Sequence, residues 1–143
     1  MKGKSNLNII VCIDDESGMI FNNRRQSRDV KVTEDIIATA LKEGAELWAL
    51  PFSEKLLAQF SEFKISADAF RLANDGDYVF VEEPPIKGII KNVSKMVVYK
   101  WNRLYPSDKK LDTPPDIHGF KLGEVTEFVG NSHDLITKEV WVK

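Results

Sequence analysis

The stretch that decides the fold is Leu7-Asn-Ile-Ile-Val-Cys-Ile13, a short and almost continuously apolar run. Runs of this kind are typical of central strands that are buried on both faces of a sheet. A polar loop follows, first Asp14-Asp-Glu-Ser-Gly-Met19 and then Phe21-Asn-Asn-Arg-Arg-Gln-Ser-Arg-Asp29. Few surface loops place three arginines and three amides in one short span directly after a buried strand. The composition therefore predicts that this loop holds a ligand.

Length and composition predict one globular domain over residues 1–143. The chain is 43% hydrophobic and 29% charged, which is typical of a soluble domain. No apolar run reaches the roughly 18 residues that a membrane helix needs. The start, Met1 to Asn6, is not followed by the features of a secretory signal, so we predict a cytoplasmic protein that does not contact a membrane.

Charge and cysteine content narrow the function classes. The net charge is -2, so no global positive field draws the chain to nucleic acid, and any anion binding must be local. The single cysteine, Cys12, excludes an internal disulfide and a cysteine-based zinc cluster, and its place in the apolar run predicts a buried, unreactive thiol. With only His118 and His133 besides, we predict no metal site.

The middle of the chain alternates strands and helices. Thr33 is predicted to cap a helix over residues 34–43, where Glu34 and Asp35 complement the positive end of the helix dipole and Gly44 ends the helix. The other predicted elements are a strand over Ala45–Leu50, a helix after Ser53 that carries Leu56, Leu57 and Phe60, a helix from Ser66 to Ala73, a strand over Tyr78–Val81, a short helix or loop over Ile86–Val93, and a strand over Lys95–Arg103 with Val97, Tyr99 and Trp101 on one face.

The last part of the chain has no helical pattern. Residues Tyr105 to Gly119 are predicted to form an extended crossing loop, and Phe120–Val129 pairs with Ile136–Val142 as an antiparallel hairpin. The predicted fold is therefore α/β, with a mostly parallel central sheet flanked by helices and a C-terminal antiparallel hairpin. In such sheets ligands bind beyond the carboxyl ends of the strands, where the loop after Ile13 begins.

Both ends of the chain carry residues in the order of a known family. They are Asn8 to Asp14 with Gly18, Met19 and Asn22; Thr33-Glu-Asp35; and Asp112, Gly119-Phe-Lys-Leu122, Asn131-Ser-His133 and Glu139. This order resembles the dihydrofolate reductase family, in its first strand and mobile loop, its first helix and its final hairpin. The resemblance implies a dihydrofolate reductase-like fold.

The middle of the chain departs from that family. Where the family has a Gly-Arg-x-Thr phosphate cradle, this chain has Leu50-Pro-Phe-Ser53, whose proline removes a backbone donor. Where the family has a Gly-Gly pair against its cofactor, this chain has Val81-Glu-Glu-Pro-Pro85, and the tryptophan of the substrate loop is missing. An active NADPH-dependent reductase of dihydrofolate type is therefore only the alternative hypothesis, and the sequence identifies no cofactor.

The loop supplies the predicted ligand site. Guanidinium groups bind phosphate or carboxylate with two hydrogen bonds, and neighbouring amides can add donors. The predicted ligand-binding residues are Asn22, Asn23, Arg24, Arg25 and Arg28. The competing interpretation is a solvated loop whose arginines pair with nearby carboxylates, namely those of Asp14, Asp15, Glu16 and Asp29.

Three further residues are candidates for chemistry. Asp35, if it occupies the family's acid position, would be the catalytic carboxylate that receives a protonated ring nitrogen; otherwise it is a charge that stabilises the helix start. In Lys100-Trp-Asn-Arg-Leu-Tyr105, Trp101 could stack a nucleic-acid base, although strand alternation favours Trp101 in the core. His133 is predicted to be a turn histidine, with no Ser, Cys or second His placed to form a triad.

A second resemblance concerns the first strand and the loop. Val11-Cys-Ile-Asp-Asp15 and Asn22-Asn-Arg-Arg-Gln-Ser-Arg-Asp29 are similar to short bacterial proteins that are sometimes labelled ribonuclease Z. That enzyme needs a His-x-His-x-Asp-His zinc motif, which this chain lacks. The residues do not support that activity.

Three hypotheses follow from the sequence. The favoured one is a degenerate dihydrofolate reductase-like domain that binds a small anionic or heterocyclic ligand, nucleotide or pterin-like, beside the arginine-rich loop. The others are the active reductase and an RNA-binding or RNA-processing protein. The sequence fixes neither the ligand nor the oligomeric state.

Overall fold

The computed structural model describes residues 6–143. The expectation that Met1 to Ser5 open no secretory signal concerns residues outside that range. Within it, no helix combines the length and the apolar character needed to cross a membrane.

Ten strands and two α-helices form the described chain. In order they are β1 Leu7–Ile13, β2 Gly18–Phe21, β3 Arg24–Arg25, α1 Val30–Lys42, β4 Leu47–Ala49, β5 Phe63–Ile65, α2 Ala69–Leu72, β6 Tyr78–Phe80, β7 Val93–Lys100, β8 Lys109–Lys110, β9 Lys121–Phe128 and β10 Ile136–Val142. Three short 3₁₀ helices cover Pro51–Ser53, Lys87–Asn92 and Pro115–Ile117.

Seven strands form the central sheet in the order β5-β4-β6-β1-β7-β10-β9. The pairs on both sides of β1 are parallel, and β10 pairs antiparallel with β7 and β9. The mostly parallel sheet with an antiparallel C-terminal hairpin is therefore confirmed. A second sheet, β3-β2-β8, carries the loop that follows β1.

The two central strands divide the core between the faces of the sheet. Ile9 and Val11 of β1 belong to one apolar cluster, and Ile10 belongs to the other. The same alternation places Val97 and Tyr99 of β7 on the second face. β1 and β7 thus have the buried, alternating faces that their sequences predict.

Helix α1 begins four residues before the predicted position. Its N-cap is Asp29, whose Oδ1 accepts a hydrogen bond from the amide nitrogen of Lys31 at 2.9 Å. Thr33 is not the cap, because it lies one turn inside the helix and is buried there. Val32 is also buried, so the apolar stripe of α1 begins before residue 33.

The helix predicted after Ser53 is wrong. Pro51 opens a 3₁₀ helix, and the Ser53 hydroxyl donates to Oε1 of Glu82 at 2.7 Å instead of capping a helix. Residues 54–59 form turns, although Leu57 remains buried in the core.

Two smaller regions also differ from the predictions, and one segment that the sequence left ambiguous is settled. Strand β5 was not predicted, because its three residues are too few to show a period. Helix α2 is shorter than the predicted helix from Ser66, and the Ser66 hydroxyl accepts from the amide of Asp68 at 3.0 Å. The ambiguous segment 86–93 is mainly the 3₁₀ helix Lys87–Asn92.

Candidate functional site

The loop after β1 folds into a hairpin that presents the arginines. Asn22 and Asn23 form its turn with φ of 57° and 63°, a left-handed conformation that asparagine tolerates better than most residues. The amide of Asn22 donates to Oδ2 of Asp108 at 3.0 Å, which ties the turn to the crossing loop. The turn separates β2 from β3, so Arg24 and Arg25 point in opposite directions.

Arg25 is turned inward and neutralised. Its Nε lies 2.7 Å from Oε2 of Glu82, and its Nη2 lies 2.9 Å from Oε1. The guanidinium also lies 5.3 Å from the ring centre of Phe52. Its main interaction is therefore with Glu82, which leaves it less able to bind an external anion than its two neighbours.

Arg24 and Arg28 are exposed, and neither side chain makes a hydrogen bond or ion pair with another residue in the range 6–143. They line a groove of about 770 Å³, which we call the arginine groove. Its lining residues are Asn23, Arg24, Arg25, Ser27, Arg28, Pro51, Phe52, Glu54 and Lys55.

Asp14, one of the carboxylates expected to neutralise the arginines, has other partners. Asp14 accepts hydrogen bonds from the amides of Gly18 and Glu16 at 2.7 and 2.8 Å and from Nε2 of Gln26 at 3.0 Å. Burial works against the charged form, yet these hydrogen bonds hold the pKa of Asp14 below its usual value. Asp14 therefore stabilises the loop and does not pair with Arg24 or Arg28.

Asp35 lies away from the arginine groove. Its Oδ2 accepts from Oη of Tyr99 at 2.6 Å and lies 2.9 Å from Nζ of Lys138. Burial, and then the charge of Asp35, raise the pKa of Tyr99, so its phenol remains a donor. The carboxylate that stands at the start of α1 beside the loop is Asp29.

Asp29 joins the start of α1 to the C-terminal hairpin. Its carboxylate accepts from the amides of Lys31, Asn131 and Ser132 at 2.8 to 2.9 Å. Burial raises the pKa of this carboxyl, but the hydrogen bonds from Asn131, His133, Ser132 and Lys31 outweigh burial and hold the pKa far below its usual range. Asp29 is therefore ionised in the folded protein.

His133 connects that carboxylate to a serine of the loop. Its Nδ1 lies 2.9 Å from Oδ2 of Asp29, and its Nε2 lies 3.0 Å from Oγ of Ser27. Oη of Tyr105 lies 3.1 Å from the same Nε2. The ring stacks on Trp101 at 4.7 Å between centroids, and only 2% of the side chain is exposed. The ring is thus held on one face by Trp101 and at both nitrogens by hydrogen-bond partners.

The prediction that no serine is placed beside His133 is wrong. Ser27 and His133 are 106 positions apart, and the sequence contains no local signal for this contact. The only hint is Ser27-Arg-Asp29 directly before a helix, next to a hairpin turn that contains a histidine.

Trp101 lies in the core, as strand alternation favours. It is 5% exposed and packs in the cluster that includes Tyr99. The adjacent Lys100 pairs with Glu139 at 3.0 Å. The segment around Trp101 therefore does not offer an open aromatic face to a nucleic-acid base.

The residues present do not fit a dinucleotide phosphate cradle. In the 3₁₀ helix after β4, the amides of Ser53 and Glu54 donate to Leu50 and Pro51 carbonyl oxygens at 2.9 and 3.0 Å. Shortly after β6, the carboxylate of Glu82 is bound by Arg25, so neither side chain is free to bind a pyrophosphate there. Across residues 6–143, no group of three or more His, Cys, Asp and Glu side chains is placed to hold a metal ion.

Comparison with solved structures identifies the fold. Dihydrofolate reductase from Enterococcus faecalis, complexed with NADP(H) and RAB-propyl, matches with a TM-score of 0.61, over 98% of this chain and 97% of that enzyme. The chain has a dihydrofolate reductase-like fold. The sequences are 8% identical, so the likeness concerns the fold alone.

Sequence comparisons add no family to this fold. No family model matches the chain, and no curated protein matches it significantly. The resemblance of this reductase-like chain to proteins labelled ribonuclease Z is not tested by these comparisons and stays a prediction.

The reductase-like fold has a narrow cavity behind Ser27. It measures about 20 Å³, and its walls include Cys12, Met19, Val32 and Phe80. That is room for about one water, whereas small-molecule pockets usually measure some 300 Å³ or more. Burial raises the pKa of Cys12, so the thiol stays protonated. A ring the size of a pterin does not fit this cavity, and the arginine groove is the larger space beside Ser27.

Proposed function

We propose that this reductase-like domain binds a small anionic ligand, a phosphate or a carboxylate, in the arginine groove. The observation that carries the proposal is that Arg24 and Arg28 line one groove and make no ion pair with any other residue in the range 6–143. Lys55 adds a third positive charge to the same groove, against the single carboxylate of Glu54.

The Arg25 and Glu82 pair supports this arrangement. Arg25 is fixed by Glu82 and packs on Phe52, and both Arg25 and Phe52 line the groove, so this part of the lining is held in place. A wall positioned in advance reduces the ordering cost of binding. Phe52 offers the ligand an apolar surface next to the two guanidinium groups, which fits an anion attached to an organic ring.

The chemistry of the arginine side chains restricts the class of ligand that the groove can bind. Arginine binds phosphate and carboxylate with two parallel hydrogen bonds, whereas it has little affinity for neutral groups of the same size. The matched reductase from Enterococcus faecalis is complexed with NADP(H), a nucleotide. Nucleotides and small phosphates are therefore the first probes, and folates, which carry carboxylates, are the second.

Thermal shift measurements test the proposal. At a ligand concentration 100 times the Kd, binding adds about 2.7 kcal/mol to the unfolding free energy, which raises the Tm by several degrees. We expect ATP, AMP or folate at about 1 mM to raise the Tm of the wild type, and the double variant Arg24→Ala, Arg28→Ala to lose that shift.

The matched control is Arg103→Ala. Arg103 is exposed, and its side chain makes no hydrogen bond or ion pair with residues 6–143. Its removal changes the net charge in the same direction without touching the groove. Equal shifts in the double variant and the wild type, or no shift with any anion, would contradict the proposal.

A further inference from the structure

We infer that Ser27 is the nucleophile of a hydrolytic site, in which His133 is the general base and Asp29 positions the imidazole. The order of contacts is Ser27 Oγ to His133 Nε2 at 3.0 Å, and His133 Nδ1 to Asp29 Oδ2 at 2.9 Å. The same roles define the Ser-His-Asp triad on unrelated folds, where geometry and not sequence order identifies it.

The hydrogen bonds fix where the protons lie. An ionised carboxylate only accepts, so Nδ1 of His133 must donate to Asp29. In the neutral ring Nε2 is then unprotonated, and its lone pair faces Oγ of Ser27. Oη of Tyr105 lies 3.1 Å from this nitrogen and 3.4 Å from Oγ of Ser27, and when Ser27 donates to Nε2 the phenol donates its single proton to Oγ. The serine hydroxyl can therefore give its proton to His133 while Tyr105 supports the oxygen.

The location of Ser27 distinguishes the Ser27, His133 and Asp29 cluster from a hydrogen-bond network that is buried throughout. Asp29 and His133 are buried, whereas Ser27 is half-buried and lines both the arginine groove and the narrow cavity. Ser27 therefore borders the surface that a ligand reaches, and the residues that would activate its hydroxyl are protected from water, as in hydrolases of this type.

A second feature of such sites is a donor for the developing oxyanion. In many hydrolases one donor is the backbone amide of the residue after the nucleophile. Here that amide belongs to Arg28, and it makes no hydrogen bond within residues 6–143. The guanidinium of Arg28 lines the same groove, which adds positive charge where negative charge develops.

The reaction that this arrangement supports is ester hydrolysis. Oγ of Ser27 forms a bond to the ester carbonyl carbon, while the hydroxyl proton passes to Nε2 of His133. The carbon–oxygen bond to the alcohol then breaks, and the alcohol leaves with the proton from Nε2. Water attacks the acyl-serine by the same proton transfers, which releases the carboxylic acid and restores Ser27.

The substrate class follows from the groove. An ester whose acyl or alcohol part carries a phosphate or carboxylate would place that anion on Arg24 and Arg28, with its carbonyl at Ser27. This part of the inference rests on the proposed function, whereas the nucleophile itself rests only on the geometry of Ser27, His133 and Asp29.

Covalent labelling tests the nucleophile without any assumption about the anion. A neutral fluorophosphonate probe reacts with an activated serine, forming an oxygen–phosphorus bond as fluoride leaves. Peptide mass mapping of the full-length protein should locate one adduct on Ser27. We expect Ser27→Ala to abolish it and His133→Gln to slow labelling by about 100-fold, the usual effect of losing a general base.

The control is Ser61→Ala, since Ser61 is exposed and its hydroxyl has no partner among residues 6–143. Labelling of this variant should equal that of the wild type. Because His133→Gln removes a buried ring, its melting curve is recorded as well. If this variant unfolds, the labelling rates of Ser27 and Ser61 are compared within the wild-type protein. An activated Ser27 must react about 100-fold faster than Ser61.

Two results would overturn the inference: no adduct on Ser27, or equal labelling of Ser27 and Ser61. These results leave the proposed function standing if anions still raise the Tm. Labelling of Ser27 without any anion-dependent shift would instead refute the proposed function and retain the nucleophile. For the substrate class, kcat/KM should be about 10-fold higher for the nitrophenyl monoester of succinate than for nitrophenyl acetate, and equal values would overturn that part.

Discussion

Replacement of Asp29 by asparagine is the most demanding test of the arrangement at the start of α1. The change keeps the shape of the side chain and removes its charge. Because no part of this side chain is exposed, the contacts it loses are not replaced by water. We expect Asp29→Asn to lower the free energy of unfolding by about 3 kcal/mol.

The magnitude follows from the donors that surround the carboxylate. Oδ1 accepts from the amides of Lys31 and Asn131, and Oδ2 accepts from the amide of Ser132 and from Nδ1 of His133. An asparagine has one acceptor oxygen, so in either orientation its amide group faces two donors. A hydrogen bond to a charged group contributes about 1.5 to 3 kcal/mol, and losing two gives the expected value after partial relaxation.

Urea and thermal unfolding measure this effect. For a domain of this size, about 3 kcal/mol corresponds to a Tm that falls by roughly 10 °C. The matched control is Asp134→Asn in the same hairpin, where the carboxylate is exposed and makes no hydrogen bond or ion pair within residues 6–143. A loss below about 1 kcal/mol, or equal losses in the two variants, would show that Asp29 does not join α1 to the hairpin.

Three other predictions concern the same region. First, the pKa of Asp29 is lower in the folded protein than its value of about 3.9 in the unfolded chain, so its stabilising effect is fully present above about pH 3.9 and is lost as the pH falls toward the folded pKa. The Tm of the wild type should therefore fall more steeply between about pH 4 and 2 than the Tm of Asp29→Asn. Parallel curves would contradict this. Second, Glu82→Gln should lower the free energy of unfolding in urea by about 2 kcal/mol, because it weakens the bidentate pair with Arg25. Glu124→Gln, at an exposed position, should leave that free energy unchanged. Equal urea midpoints for the two variants would refute this prediction. Third, Gly130→Ala should lower the Tm by several degrees, because the added Cβ would lie 2.5 Å from Oδ2 of Asp29. The control Gly88→Ala should leave the Tm unchanged, because its Cβ would meet no atom within 4 Å. An unchanged Tm for Gly130→Ala would contradict this packing.

Strands and the hairpin were predictable because their signals are local. In β1 the continuous apolar run indicates a strand buried on both faces, and in β7 the alternation of Met96, Val97, Val98 and Tyr99 assigns each side chain to a face. The final hairpin is visible from its turn residues. These features depend on neighbours within a few positions, which a single sequence contains.

The start of α1 shows where local signals fail. Both Thr33 and Asp29 are residue types that cap helices, and local preference does not choose between them. Asp29 is the cap because its second oxygen is also bound by the amide and hydroxyl of Ser132, about 100 positions away. In the same way, the Ser53 hydroxyl donates to the carboxylate of Glu82 and does not cap a helix, so the predicted second helix does not form.

The candidate site was predicted only in part. The arginine run predicted a ligand site in one loop, but no local pattern distinguishes the paired Arg25 from the exposed Arg24 and Arg28. The contact of Ser27 with His133 was not predicted, because it depends on how the last hairpin docks beside β7. Residue types within the loop are visible in the sequence, whereas contacts with residues about 100 positions away depend on the tertiary structure.

The position of His133 in the turn of an edge hairpin has a consequence for the stability of its contact with Ser27. Strand β9 is one of the two edge strands of the sheet and is mostly exposed, so we expect the hairpin to open at a lower free energy than the central strands. Such an opening withdraws the imidazole from Ser27 while β1 and α1 remain folded. The reactivity of Ser27 is then governed by the local stability of this edge, and amide hydrogen exchange in β10 should accelerate in step with any loss of labelling at Ser27.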